Sequence, residues 1–302
     1  MSFTRPLADR TVCVPHIELR REPDHRSECV SECVMGSRLR VLAEREGGAW
    51  VNVLAPDGYR AWARTWGMCV AIEESYGDCD WVLVHVPVAY VHRDPSSTSD
   101  PVTPVWMGSR LRLAEGRSRG WRAVATPDGR RGWVPSTSIT SDERPAWGGF
   151  WDPCESPEPD PAAVAEADIP RIRSRARSLL GVPYRWGGAT PAGFDCSGLV
   201  RLILGLEGIR LPRDARDQEK ALRAWQISED ELDPGRLRAG EIVFFGPSSG
   251  HAVHVGIGVG GRPGRFIHSS GRVRISSLAA ADSLFDAGLA ARVRSVIRVQ
   301  PS

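Results

Sequence analysis

An α+β domain preceded by two small all-β units is the architecture this sequence predicts. Three features carry the expectation. The first half of the chain contains a repeat, and a stretch rich in Pro, Ala and acidic residues follows it. In the second half, one apolar run of helical period gives way to several short strands. At 302 residues the chain is long enough for two or three domains with separate cores.

The repeat comes first in the chain. MGSRLRVLAEREGGAWVNVLAPDGYRAWA begins at Met35, and MGSRLRLAEGRSRGWRAVATPDGRRGWV begins at Met107. Trp50 matches Trp121, the PDG turn at Pro56 matches that at Pro127, and Trp62 matches Trp133. Each copy, about 65 residues long, alternates polar and apolar residues around its PDG turn, which fits a small β-barrel closed by apolar and tryptophan side chains. The units are placed at residues 1–76 and 77–142. The copies differ in two places. Tyr59 follows the first turn where Arg130 follows the second, and REPDHRSECVSECVMG reads as an insertion peculiar to the first copy.

Residues 143–168 read as a linker on their Pro, Ala and acidic content, and 169–302 as the α+β domain. Ile172, Ala176, Leu179 and Leu180 mark an amphipathic helix that Gly181-Val-Pro ends. A Gly/Pro-rich loop then leads to Cys196, which opens a second helix. Leu199, Val200, Leu202, Ile203 and Leu206 form its buried stripe, with Gly205 and Gly208 near its end. Strands are expected over 241–245, 254–259 and 265–269.

A thiol at a helix N-terminus faces unpaired N–H groups and the positive end of the dipole, both of which favour the nucleophilic thiolate. Thiol catalysis also needs a base and a third polar group that fixes the base's tautomer. His254 opens the alternating strand HVGIGVG, and His268 lies on the neighbouring strand within reach of its other ring nitrogen. His251 is the rival base, but its loop position fits a solvent-facing residue. His16, His25, His85 and His92 lie far upstream and read as surface or packing residues.

Composition narrows the partners. Lys+Arg 39 against Asp+Glu 37 leaves a net charge of +2, which gives no nucleic-acid footprint. No apolar run approaches the ~20 residues of a membrane span, and MSFTRPLADRTVCV contains no signal-peptide core. Seven cysteines without regular spacing fit a reducing cytosol better than a disulfide framework, so a cytoplasmic monomer is expected; export with a removed signal is the alternative. Cys29 and Cys33, with His25 nearby, have no second ligand pair at metal spacing. Neither a metal nor a cofactor is expected.

YRWGG, FDCSGLV, LPRDARDQ, HVGI and FIHSS, in that order, resemble the NlpC/p60 family of papain-like cysteine peptidases over about residues 169–300. The resemblance implies Cys196 as nucleophile, His254 as base and His268 as the orienting third residue. It places Tyr184 near the oxyanion and the substrate, and Asp195 and Ser197 in contact with a cell-wall peptide. Glu241 stands where the family more often has Asp; a turn-supporting role is expected for it.

The repeated units resemble bacterial SH3 (SH3b) domains. Two of them before such a domain resemble the recycling-type γ-D-glutamyl-diamino acid peptidases. That resemblance implies that Glu28 and Tyr59 help Asp195 hold the substrate's free amino terminus. The implied reaction is cleavage of the γ-D-glutamyl bond to meso-diaminopimelate or L-Lys in murein peptides that begin with free L-Ala. Two alternatives stay open: an exported endopeptidase acting on intact wall, and a non-catalytic wall-binding protein.

Overall fold

The computed structural model describes residues 7–70, 81–141, 150–228 and 231–299. The expected boundaries at 76/77 and 142/143 lie outside the described residues. The chain divides into two compact units, Met1–Glu143 with Trp151–Glu155 and Arg144–Phe150 with Ser156–Ser302.

The first unit holds two antiparallel sheets of seven strands each. The first sheet comprises β1 (Arg10–Val12), β2 (His16–Arg20), β3 (Cys29–Val34), β4 (Arg38–Arg45), β5 (Trp50–Leu54), β6 (Arg60–Arg64) and β7 (Met68–Val70). The second comprises β8 (Trp81–Val84), β9 (Val88–His92), β10 (Pro101–Trp106), β11 (Arg110–Ser118), β12 (Trp121–Ala125), β13 (Arg131–Pro135) and β14 (Ile139–Thr140). Their orders, β3-β2-β6-β5-β4-β1-β7 and β10-β9-β13-β12-β11-β8-β14, are the same topology seven strands apart, so the sequence repeat is a fold repeat.

Two details of the sequence reading change. The run before Met35 is not an insertion, because its β2–β3 hairpin has a counterpart in β9–β10. The residues between those strands diverge in sequence while keeping one turn: a serine hydroxyl accepts from Glu22 N in one copy and from Asp94 N in the other. Of the repeated tryptophans, Trp50 is buried, whereas Trp62, Trp121 and Trp133 are only half-buried. Alternation along β6 turns Ala61 and Ala63 inward and Trp62 outward, where Arg45 stacks over it at 5.9 Å. Val12, Leu19, Leu39, Val41, Val51 and Val53 fill the first core, and Val82, Val84, Val91, Leu111, Val124 and Val134 the second.

The segment read as a linker carries structure at both ends. Within the first unit, Trp151 Nε1 donates to Gly108 O at 2.8 Å. In the second unit, Asp160 caps α1 (Pro161–Ala165) and Asp168 caps α2 (Ile169–Ser178), each with Pro in the first turn, where its missing N–H costs nothing. Ile172, Ala176 and Leu179 are buried, whereas Leu180, expected on the same stripe, is exposed.

After α2 come the short pair β15 (Ala189–Thr190) and β16 (Gly193–Phe194), α3 (Cys196–Gly205) and α4 (Ala215–Ala221). β17 (Ile242–Phe245), β18 (His254–Gly258), β19 (Arg265–Ser270), β20 (Arg272–Ser277), α5 (Ala287–Ala290) and β21 (Val293–Ile297) follow. The five-stranded sheet runs β20-β19-β18-β17-β21, and α3 packs on β18 and β19. All five residues of the expected α3 stripe are buried. Gly205 is needed inside that helix, because a Cβ there would collide with the ring of Phe150.

Candidate active site

Cys196 is the first residue of α3, and Asp195 is its N-cap, accepting from Gly198 N at 2.7 Å. The approach is tight. A Cβ at Gly198 would strike the carbonyl oxygen of Gly188, so glycine lets the loop lie against the first turn of the helix. Asp195 also accepts from Gly187 N at 3.1 Å.

Arg213, a residue the sequence reading gave no role, completes this corner. Its guanidinium reaches both carboxylate oxygens of Asp195, at 2.5 and 3.0 Å, and Ser197 Oγ at 3.0 Å. Gln218 Nε2 donates to Ser197 O at 3.1 Å and Pro212 O at 2.9 Å, tying α4 to the start of α3. Asp195 and Ser197 therefore flank Cys196 at the start of α3, but both are buried and engaged. The carboxylate expected to wait for an ammonium group already holds a bidentate cation, so its resting role is to cap α3 and anchor the loop.

His254 and His268 meet on one face of the sheet. His254 Nε2 lies 2.7 Å from His268 Nδ1, and His268 Nε2 lies 3.0 Å from Ser276 Oγ on β20. α3, which Cys196 opens, packs on β18, which His254 opens, and the Val255 N–H that follows His254 in the chain favours the Cys196 thiolate. His251, the rival base, is exposed in the preceding loop. That loop is braced from outside. Glu219 on α4 accepts from Ala252 N at 3.2 Å and from Arg294 Nε at 3.3 Å, and Arg294 Nη2 donates to Gly250 O at 3.2 Å.

Burial pushes the Cys196 thiol up to about 11, and the Asp195 charge adds to the rise; the Val255 N–H, Arg213 and the Ser197 N–H offset only part of it. Burial likewise pushes His254 down to about 4, helped by Arg292 and Arg274 and opposed by Asp286 and Asp195. His268 falls to about 3, through burial first and then His254 and Arg274. In all three groups burial disfavours the charged form. Burial thus acts on the Cys196 thiol against the pull of the helix N-terminus, which favours the thiolate.

Tyr184 joins the cluster at the sheet edge, its N donating to Gly271 O at 2.9 Å. Burial first, then the charges of Cys196 and Asp195, raise its phenol above the ordinary value, so the hydroxyl keeps its proton. Glu241 supports its turn as expected, accepting from Arg238 N at 2.7 Å, and it also binds Arg298 Nε at 3.1 Å.

Residues 181–287 match the NlpC/P60 family. The second unit is an NlpC/P60 cysteine peptidase domain. Residues 19–65 match the bacterial dipeptidyl-peptidase SH3 domain, which covers most of the first sheet. The chain is 27% identical over 240 residues to the gamma-D-glutamyl-L-lysine dipeptidyl-peptidase of Bacillus subtilis, covering 76% of this chain and 69% of that one. It is 25% identical over 294 residues to dipeptidyl-peptidase 6 of Lysinibacillus sphaericus, covering 92% and 94%. An NlpC/P60 family protein from Bacillus cereus has the same fold, with a TM-score of 0.75 at 20% identity, covering 97% of this chain and all of that one.

The NlpC/P60 domain brings Cys196, His254, His268, Tyr184, Asp195 and Ser197 together. Glu28 and Tyr59 belong to the first unit. There Glu28 is exposed and ion-paired with Arg21 Nη2 at 2.6 Å, and Tyr59 N donates to Asp57 Oδ1 at 3.1 Å. Arg130, its counterpart in the repeat, donates to Cys13 O at 2.7 Å and so links the two sheets. Arg213, Glu219 and Ser276 escaped the sequence reading. For Arg213 the signal was present, an arginine after LP just before Asp214 at the start of α4, whereas nothing local marks Ser276.

Proposed function

We propose that the NlpC/P60 domain hydrolyses the γ-D-glutamyl bond to the diamino acid in short murein peptides that begin with a free L-Ala. The observation that carries the reading is the His254–His268 pair held beside a helix-start cysteine. Its support on substrate is the relatives' names, since a dipeptidyl-peptidase counts two residues from a free amino terminus.

In this reading Cys196 Sγ attacks the γ-carbonyl carbon while its proton passes to His254 Nδ1, the ring nitrogen that His268 leaves free. The Cys196 backbone N–H and the Tyr184 hydroxyl donate to the developing oxyanion. His254 then gives the proton to the departing amine, the C–N bond breaks and a thioester remains. Water, deprotonated by His254, releases the acid and restores the thiol.

The test is kcat/KM on L-Ala-γ-D-Glu-diaminopimelate, free and N-acetylated, with Cys196→Ala as the control. The free peptide is expected to be cut at least about a hundred-fold faster, because acetylation removes the charged amino terminus from which a dipeptidyl-peptidase counts. Equal rates on the two peptides, or faster cleavage of intact wall, would assign the domain to a wall endopeptidase instead.

A further inference from the structure

We infer that Ser276 is a positioning residue, the far end of a His254–His268–Ser276 hydrogen-bond chain that keeps the base in the tautomer able to accept the thiol proton. The inference rests on His254 being the base.

Strand register builds the chain. His268 on β19 is paired with Arg274 on β20, so Ser276, two residues further on, points to the same face as His268. Phe266, paired with Ser276, lies on that face too, with its ring centroid 4.9 Å from that of His268. His268 is fully buried and Ser276 is 4% exposed, so protein groups rather than bulk water satisfy the imidazole. Its two ring nitrogens have His254 Nε2 at 2.7 Å and Ser276 Oγ at 3.0 Å.

A neutral chain of this kind has two directions. In one, His254 Nε2–H donates to His268 Nδ1 and His268 Nε2–H donates to Ser276 Oγ, which leaves His254 Nδ1 bare to receive the thiol proton. In the other, the Ser276 hydroxyl donates to His268 Nε2 and His268 Nδ1–H donates to His254 Nε2. The proton of His254 then sits on Nδ1, and the ring is no base toward Cys196. Charge development separates the two. As His254 becomes cationic, its Nε2–H pulls harder on His268, and the N–H of His268 leans on whatever accepts it. Only the productive direction uses Ser276 Oγ as that acceptor. Without the hydroxyl, the productive direction strands a buried N–H just as charge is forming.

Three variants and one spectrum test this. Ser276→Ala is expected to lower kcat about ten- to hundred-fold with KM little changed and the melting temperature modestly lower, the loss that follows when a buried donor is left unsatisfied. Ser276→Thr, which keeps the hydroxyl, retains most of the rate. His254→Ala is dead. In the unsubstituted full-length chain, 15N shifts of the His268 ring at neutral pH show a protonated Nε2 and a bare Nδ1. A proton on His268 Nδ1 overturns the inference, and this reading stands even where Ser276→Ala fails to fold. An alanine variant with the original kcat, or a threonine variant as slow as alanine, overturns it too. An active His254→Ala chain would instead remove the base assignment on which the inference rests.

Discussion

Arg213 offers the sharpest test of how this site is held together. Its guanidinium is 2% exposed and grips both oxygens of Asp195, so Arg213→Met leaves a buried carboxylate with no cation while nearly preserving side-chain volume. Removing one partner of a buried pair costs about 3–5 kcal/mol. The two backbone donors that remain on Asp195, Gly198 N at 2.7 Å and Gly187 N at 3.1 Å, place the loss near the lower bound. At ~2–4 °C per kcal/mol for a domain of this size, a cost of about 3 kcal/mol lowers the melting temperature of the catalytic unit by roughly 6–12 °C. Differential scanning calorimetry on the full chain reads this directly. Asp195→Asn in the same chain removes the stranded charge while the amide oxygen still caps α3, so the double variant recovers about 2 kcal/mol. A single variant costing less than about 1 kcal/mol, or a double variant whose effects simply add, would show that the pair is not what holds this corner.

The remaining expectations concern charge and the loop before His254. His254 and His268 have folded values of about 4 and 3 against 6.5, so between these limits the unfolded chain binds protons that the folded one refuses. Their stability contribution is complete above 6.5 and drains as the pH falls through about 4 and then 3; urea midpoints between pH 7.5 and 4.5 should fall, less steeply in His268→Asn, and a flat profile refutes the argument. Arg292 and Arg274 depress His254 by their charge, so Arg292→Gln and Arg274→Gln raise its value toward neutrality; NMR titration of the ring, or an upward shift of the acid limb of kcat/KM, checks the direction. Glu219→Ala removes the acceptor for Ala252 N and Arg294, so amide exchange across 247–253 speeds up and kcat falls; unchanged exchange would show that the brace is redundant. Gly205→Ala drives a methyl into the Phe150 ring and costs ~1–3 kcal/mol, visible as a lower denaturation midpoint, unless Phe150 moves freely aside.

The sequence by itself determined whatever depends on local period and local chemistry. The α3 stripe, the strands bearing His254 and His268, the repeat and the helix-start cysteine follow from spacing, because a helix or strand places its side chains by count along the chain. The helix-start position of Cys196 and the strand positions of His254 and His268 were therefore legible. Three other matters were decided only in three dimensions. Trp62 sits in an apolar pattern, yet the register of β6 against β5 turns it outward and gives the core to Ala61 and Ala63. The β2–β3 hairpin resembles an insertion until its partner β9–β10 is seen, since a turn keeps its geometry through residues that leave no common pattern. The protonation of the site also waits on the fold. A cysteine at a helix N-terminus reads as a thiolate in one dimension, whereas in the fold its burial and the Asp195 charge push the thiol's value up. Arg213 lies 18 positions from Asp195, Ser276 8 from His268, and Glu219 33 from Ala252. Such pairs are made by chain crossing and sheet register, so residues that hold a catalytic group in place leave less trace in a sequence than the group they hold.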